Sequence, residues 1–174
     1  MSSQADPCSP IGQSERVVDL ERARELGARE SGLAVAVTLR ADGSPRASVV
    51  NAGVLDHPAT GEPTIGFVSR GQARKLVDIR ERRHVTVVFR SGWEWVAVEG
   101  DAELAGPHDP AEWLEDGELP RLLRTVYAAA VGGSPGDWAE LDESMALEGH
   151  TAVIVAVARV YPAAAPAPSD ASAG

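Results

Sequence analysis

Asp42-Gly43 stands between two β-prone runs, LAVAVTLR (33–40) and ASVVNAGVL (47–55). A two-residue hairpin turn needs positive φ at its centre, and Asp-Gly supplies it at little steric cost. ADGSPR (41–46) therefore reads as a tight turn, and the two runs as neighbouring antiparallel strands. Parallel strands need a crossover of about a dozen residues or more, which this spacing does not leave. An antiparallel sheet is thus the framework that the rest of the chain must join.

The remaining runs extend that sheet. TIGFVS (64–69), HVTVVF (84–89), EWVAVEGDAELA (94–105) and TAVIVAVARVY (151–161) read as strands, the fifth with a kink at Gly100 and the last apolar on both faces and so central. A helix capped by Ser14 runs to about Glu30, with Val17, Val18, Leu20, Ala23 and Leu26 as its stripe. A second, from about Gly71 to Arg80, buries Ala73, Leu76, Val77 and Ile79. Asp109 or Pro110 opens a short helix. In LPRLLRTVYAAAV (119–131) the apolar residues Leu119, Leu122, Leu123, Val126, Tyr127 and Ala130 keep helical spacing. Residues 137–149 read as a further helix, stopped by Gly149. The fold class expected is mainly β with helices (α+β). Six strands joined largely by short turns favour closure into a small barrel, since closure removes exposed edges. The folded body spans 14–162, with a helical insert at about 109–149, a disordered leader at 1–13 and an Ala/Pro/Ser tail at 163–174.

Charge and composition exclude several classes. A net charge of −10 over 174 residues argues against nucleic-acid and anionic-membrane partners. Cys8 is the only cysteine and lies in the leader, so neither a disulfide within the chain nor a held catalytic thiol is expected. No run is long enough to span a membrane as a helix, and the N-terminus lacks the layout of a secretory signal, so a cytoplasmic location is expected. His57, His84, His108 and His150 lack metal-ligand spacing, and no metal is expected. No GxGxxG or phosphate-loop motif is present.

One segment runs against the acidic background. Arg70, Arg74, Lys75, Arg80, Arg82 and Arg83 crowd between the third and fourth strands against only Asp78 and Glu81, and Lys75 is the sole lysine. That segment is +4 while the remainder is −14. Arg80, Arg82 and Arg83 suit a solvated helix C-terminus, where cations are favoured. Arg74 and Lys75 fall in the first turn, where the helix dipole disfavours cations unless an anion sits between them. With Ser69 and Gly71 beside them, they read as a phosphate pocket.

The hairpin VTLRADGSPRASVVNAGV, then GFVSRGQARKLVDIRERRHVTVVF, then WVAVEGDAEL, resembles the pyridoxamine 5′-phosphate oxidase-like superfamily over residues 30–105 and 151–161. The resemblance implies a homodimeric six-stranded split β-barrel that binds FMN or the deazaflavin coenzyme F-420. It implies that Arg46, Ser48, Val49, Val50 and Asn51 line the ring, that Val68, Ser69 and Arg70 lie along the ribityl chain, and that Arg74 and Lys75 hold the phosphate. Ala73 stands where the family commonly has serine. Trp93 and Trp95 would approach the ring from the second subunit or else pack in the core. The ending ARVYPAAAPAP lacks the substrate-gripping Arg and His of true pyridoxine phosphate oxidases, and Trp95 replaces their Gln. The compact size, the RGQARK corner and the RVYP ending look more like the F-420-dependent reductase branch.

The function expected is therefore hydride transfer from reduced F-420 to a small conjugated acceptor, with His57 as candidate proton donor. An FMN-dependent oxidase or reductase and a non-catalytic binder of a flavin-like ligand are the alternatives. F-420 carries glutamates beyond its phosphate, so Arg70, Arg74, Lys75 and Arg46 are the expected cation track, whereas FMN needs only the phosphate pocket.

Overall fold

The computed structural model describes residues 13–133 and 135–162. The expected leader lies almost wholly, and the tail wholly, outside the described residues. Helix α1 (Gln13–Arg29) is followed by strands β1 (Leu33–Leu39), β2 (Pro45–Asp56) and β3 (Pro63–Ser69). Helix α2 (Arg74–Glu81), β4 (His84–Ser91) and β5 (Glu94–Ala105) come next. Helices α3 (Leu119–Val131) and α4 (Trp138–Leu147) precede β6 (Thr151–Ala156) and β7 (Arg159–Pro162). No described helix is long and apolar enough to cross a membrane.

The protein is mainly β with helices. Six strands close an antiparallel barrel in the order β1-β2-β3-β6-β5-β4, with β4 returning to β1, and β7 adds a seventh strand beside β5. The hairpin forms where expected, but its turn has three residues rather than two: the Arg40 amide donates to the Ser44 carbonyl at 2.9 Å, and Gly43 alone takes positive φ, 80°, between them. β2 then changes partner. It pairs with β1 through residues 45–51 and with β3 through residues 52–56. Between the ends of those two ladders, a gap opens beside Asn51.

The last strand departs from expectation. Residues 151–161 are not one strand but β6 and β7, separated at Val157-Ala158. Ala102 pairs with Val155 and Glu99 with Arg159, so residues 156–158 face only 100–101. One extra residue makes this a bulge, which bends the strand. Gly100 is where the kink was expected, and a Cβ there would lie 1.6 Å from the Ala156 carbonyl oxygen. The bend and the glycine belong to one close backbone contact.

Two cores result. Inside the barrel, Val50, Ala52, Val54, Ile65, Phe67, Val87, Phe89, Val98 and Val153 pack with Leu20, Ala23 and Leu26 of α1 and with Leu76 and Ile79 of α2. Outside it, Leu122, Leu123 and Val126 of α3 cover Leu55, Ala105, Ala152 and Ile154, with Met145 of α4. β6 feeds alternate residues to each core, and Thr151–Val155 are all buried, as a central strand requires. Each large buried aliphatic side chain contributes about 1.5–3 kcal/mol.

Two local expectations fail. The helix expected at Asp109 or Pro110 is absent. Asp109 and Gly106 exchange backbone hydrogen bonds, and the Asp109 carboxylate instead receives Arg80 at 2.7 and 2.8 Å. α2 begins at Arg74 rather than Gly71, and its buried face includes Asp78, whereas Val77 is 52% exposed.

Candidate cofactor-binding site

α2 starts with nothing to cap it. The residue before it, Ala73, has no side-chain acceptor, and no acid lies in the first turn. Its first two residues are Arg74 and Lys75. The helix dipole and the free amides there favour an anion, and both cations are costly without one. Lys75 Nζ lies 3.3 Å from Ser69 Oγ, and Ser69 is buried at the end of β3. Burial pulls the Lys75 ammonium below its ordinary pKa. Arg74 is exposed and meets no carboxylate among the described residues. A helix N-terminus, a hydroxyl and a half-buried ammonium thus meet at one corner, with the exposed Arg74 at the first position of the helix, and these are the donors a phosphate monoester requires. The residues present fit such a group.

Beside this corner the gap left by β2 becomes a cavity of about 200 Å³. Asn51, Val68 and Arg70 form one wall. The helical insert supplies the other, with Tyr127, Ser144, Met145 and Glu148, and His150 completes it. Sequence reasoning named the first wall and missed the second. α4 is an acidic helix more than 60 residues away in the chain, and nothing local ties it to Arg70. Its end is seated firmly. The Arg70 Nε lies 3.0 Å from Glu148 Oε2, the Gly71 amide donates to the Glu148 carbonyl at 3.4 Å, and a Cβ on Gly71 would come within 2.5 Å of the Gly149 carbonyl oxygen.

The other residues expected at the site are placed as follows. β2 alternates: Arg46, Ser48 and Val50 face inward, whereas Val49, 70% exposed, and Asn51 face outward. The Asn51 amide donates to the Ser31 carbonyl at 3.0 Å. Arg46 is not free to extend a cation track, because its Nε binds the buried Asp78 carboxylate at 2.6 Å, which also accepts from Thr38 at 2.9 Å. Burial opposes ionisation of Asp78, but these hydrogen bonds outweigh it and hold its carboxyl below the ordinary range. The signal in the sequence was an acid on the inward face of a basic helix.

Trp93 is a turn residue rather than part of β5 and is 99% exposed, and Trp95 is 42% exposed. Neither lines the cavity within one chain. His57 sits at the far end of β3 from Ser69, about 20 Å away along the strand. Its Nδ1 accepts the Ala59 amide at 3.1 Å, and its ring stands edge-on to Trp113. The structure does not bring it to the corner. A larger cleft of about 450 Å³ near it is lined by Asp56, Glu115 and Glu118, and its Arg121 pairs with Glu118, so it is ill suited to a phosphate.

The closed barrel, the partner switch in β2 and the lone seventh strand define a split β-barrel protein. The chain belongs to the pyridoxamine 5′-phosphate oxidase family, whose match covers residues 20–162. No curated protein matches it. The fold is similar to that of a conserved hypothetical protein of Mycobacterium tuberculosis, with TM-score 0.59 and 16% identity over 91% of this chain and 89% of that one. It is also similar to a pyridoxamine 5′-phosphate oxidase-related, FMN-binding protein of Nostoc punctiforme, with TM-score 0.53 and 14% identity over 91% and 84%. HutZ, the heme storage protein of Vibrio cholerae, is similar at TM-score 0.54 and 11% identity over 82% and 94%. At these identities the likeness is one of fold.

Proposed function

We propose that the protein is an oxidoreductase that holds a phosphorylated flavin-type cofactor at the N-terminus of α2 and reduces a small conjugated acceptor. The observation that carries this reading is the uncapped start of α2, with Lys75 half-buried beside Ser69 and without a carboxylate partner among the described residues. The cofactor is coenzyme F-420, whose reduced form supplies a hydride. Lys75 and Arg74 hold its phosphate. Val49 and Asn51 present the outward face of β2 to the ring, and Val68 lies beside them on β3. The apolar part of the cavity, Val68, Leu141 and Met145, keeps water from the acceptor.

One observation favours FMN as a second reading. Arg46 and Arg70 are both engaged by carboxylates, which leaves Arg74 and Lys75 for the ligand. Two cations match one phosphate better than a long anionic tail.

The active form is proposed to be a homodimer. Val49, Val35, Val88, Ala97 and Tyr161 are cross-strand partners in one row on the outer face of β2, β1, β4, β5 and β7. With Leu33 and Trp95 at its side, this row leaves large apolar groups in water. A second copy packed there would bring Trp93 and Trp95 towards its partner's cavity.

Paired titration of the purified chain with F-420 and FMN, followed by ligand fluorescence, tests the cofactor. Tight binding of one, and turnover of its reduced form with quinones or enones, supports the enzyme. Tight binding without turnover of any acceptor leaves a carrier or sensor. Binding of neither removes the proposal.

A further inference from the structure

We propose that His150, rather than His57, gives the proton that completes reduction of the acceptor. The inference rests on reading the cavity beside α2 as the place where an acceptor is reduced. His150 lines that cavity with Val68, Leu141 and Met145. The end of α4 holds its ring. Gly149 takes φ 62°, which turns the chain back on the helix. The Gly149 amide then donates to the Ala146 carbonyl at 3.2 Å and the His150 amide to the Met145 carbonyl at 2.9 Å, the paired bonds of a helix that ends in a left-handed glycine. The same Met145 carbonyl lies 3.3 Å from His150 Nδ1. A carbonyl only accepts, so Nδ1 carries a proton in both the neutral and the charged ring. Nε2 is left as the nitrogen that gains and loses one. It lies 3.6 Å from Glu148 Oε2, close enough for charge attraction to the protonated ring.

The other polar side chains of the wall are Asn51, Arg70, Tyr127, Ser144 and Glu148. Amides, guanidiniums, phenols and alcohols keep their protons at neutral pH. Glu148 is engaged by Arg70 at 3.0 Å. Imidazole alone exchanges a proton near neutrality. When a hydride adds at the β-carbon of an enone, the displaced π electrons put a negative charge on the carbonyl oxygen. The Nε2–H bond breaks and that oxygen takes the proton, which leaves a neutral ring. The side chain is 16% exposed, so water can return the proton once the product leaves.

The test uses the full chain as wild type and His150→Asn. Nitrogen chemical shifts of the cofactor-free wild type should show the neutral His150 ring protonated at Nδ1; protonation at Nε2 overturns the proposal. His150→Asn keeps a donor for the Met145 carbonyl and removes the Nε2 proton. Its affinity for F-420 and for FMN should stay within about threefold of wild type. With reduced F-420, and in parallel reduced FMN, and cyclohexenone as acceptor, its single-turnover rate should fall about a hundredfold, the lower end of what general acid catalysis supplies. The wild-type rate should decline as pH rises through the imidazole range, and the variant's should not. The charged and titratable groups that share the wall with His150 are Glu148 at the end of α4, Arg70 after β3 and Tyr127 of α3. An unchanged rate, an unchanged pH profile, or a rate that falls only in step with cofactor affinity overturns the proposal. If the wild type reduces the enone and only the His150 effect is missing, this inference alone fails. If the wild type binds neither cofactor, or binds one and reduces no enone, the proposed function fails and this inference with it.

Discussion

Arg46 on β2 and Asp78 on α2 meet at 2.6 Å over the end of the barrel, with Thr38 of β1 as third partner. The contact joins the helix that carries Arg74 and Lys75 to the two strands of the first hairpin. It fixes where the start of α2 points, and so where an anion would sit.

This triad predicts an acid limb in stability. The Asp78 carboxyl has a folded pKa below its unfolded value. Its contribution is therefore whole at neutral pH, starts to fade as pH falls towards the ordinary aspartate value of about 3.9, and is gone below the folded pKa. Asp78→Asn should cost about 2 kcal/mol at pH 7. Urea unfolding at pH 7 and at about pH 3 checks this: the gap between wild type and variant should narrow at the lower pH.

Lys75→Met should separate stability from binding. The folded ammonium has a lowered pKa from burial, so its desolvation cost is present at neutral pH and disappears only as pH rises past the folded and unfolded values. Removing the charge should leave Tm unchanged or higher. Affinity for the phosphorylated cofactor should fall about tenfold or more, as loss of a charged hydrogen bond requires. Thermal melts and ligand titration of the same samples read both. A lower Tm with intact affinity would make Lys75 a structural residue.

Gly53 should tolerate no side chain. A Cβ there would lie 2.1 Å from the Ala129 carbonyl oxygen and 2.7 Å from the Ala130 nitrogen, both backbone atoms of α3. Gly53→Ala must lift α3 off β2, at a cost of about 1–3 kcal/mol, and lower Tm by roughly 2–12 °C. Gly43→Ala is the contrast. It meets nothing within 4 Å but must adopt φ 80°, so it should cost only about 1 kcal/mol.

Val49→Lys tests the dimer. Val49 is 70% exposed in one chain, so the change should not disturb the fold. It puts a charge in the middle of the proposed interface and should convert a dimer to a monomer in sedimentation equilibrium. A wild type that is already monomeric at micromolar concentration would dismiss the dimer.

Local chemistry carried much of the reading. The Asp42-Gly43 turn, the helical spacing from Leu119 to Ala130 and the crowding of bases around Lys75 are set by residues within a few positions of one another. The hairpin, α3 and the cations at the start of α2 were therefore visible in the sequence alone. What it could not show depends on contacts between distant segments. Gly100 meets Ala156 and breaks the last strand, Asp78 takes Arg46, and Glu148 takes Arg70. Each pairs residues 32 to 78 positions apart, and only closure of the barrel brings them together. The sequence determined which charges the corner carries; the tertiary structure decided which of them a ligand can use, because a cation clasped by a carboxylate, as Arg46 and Arg70 are, already has its counter-ion.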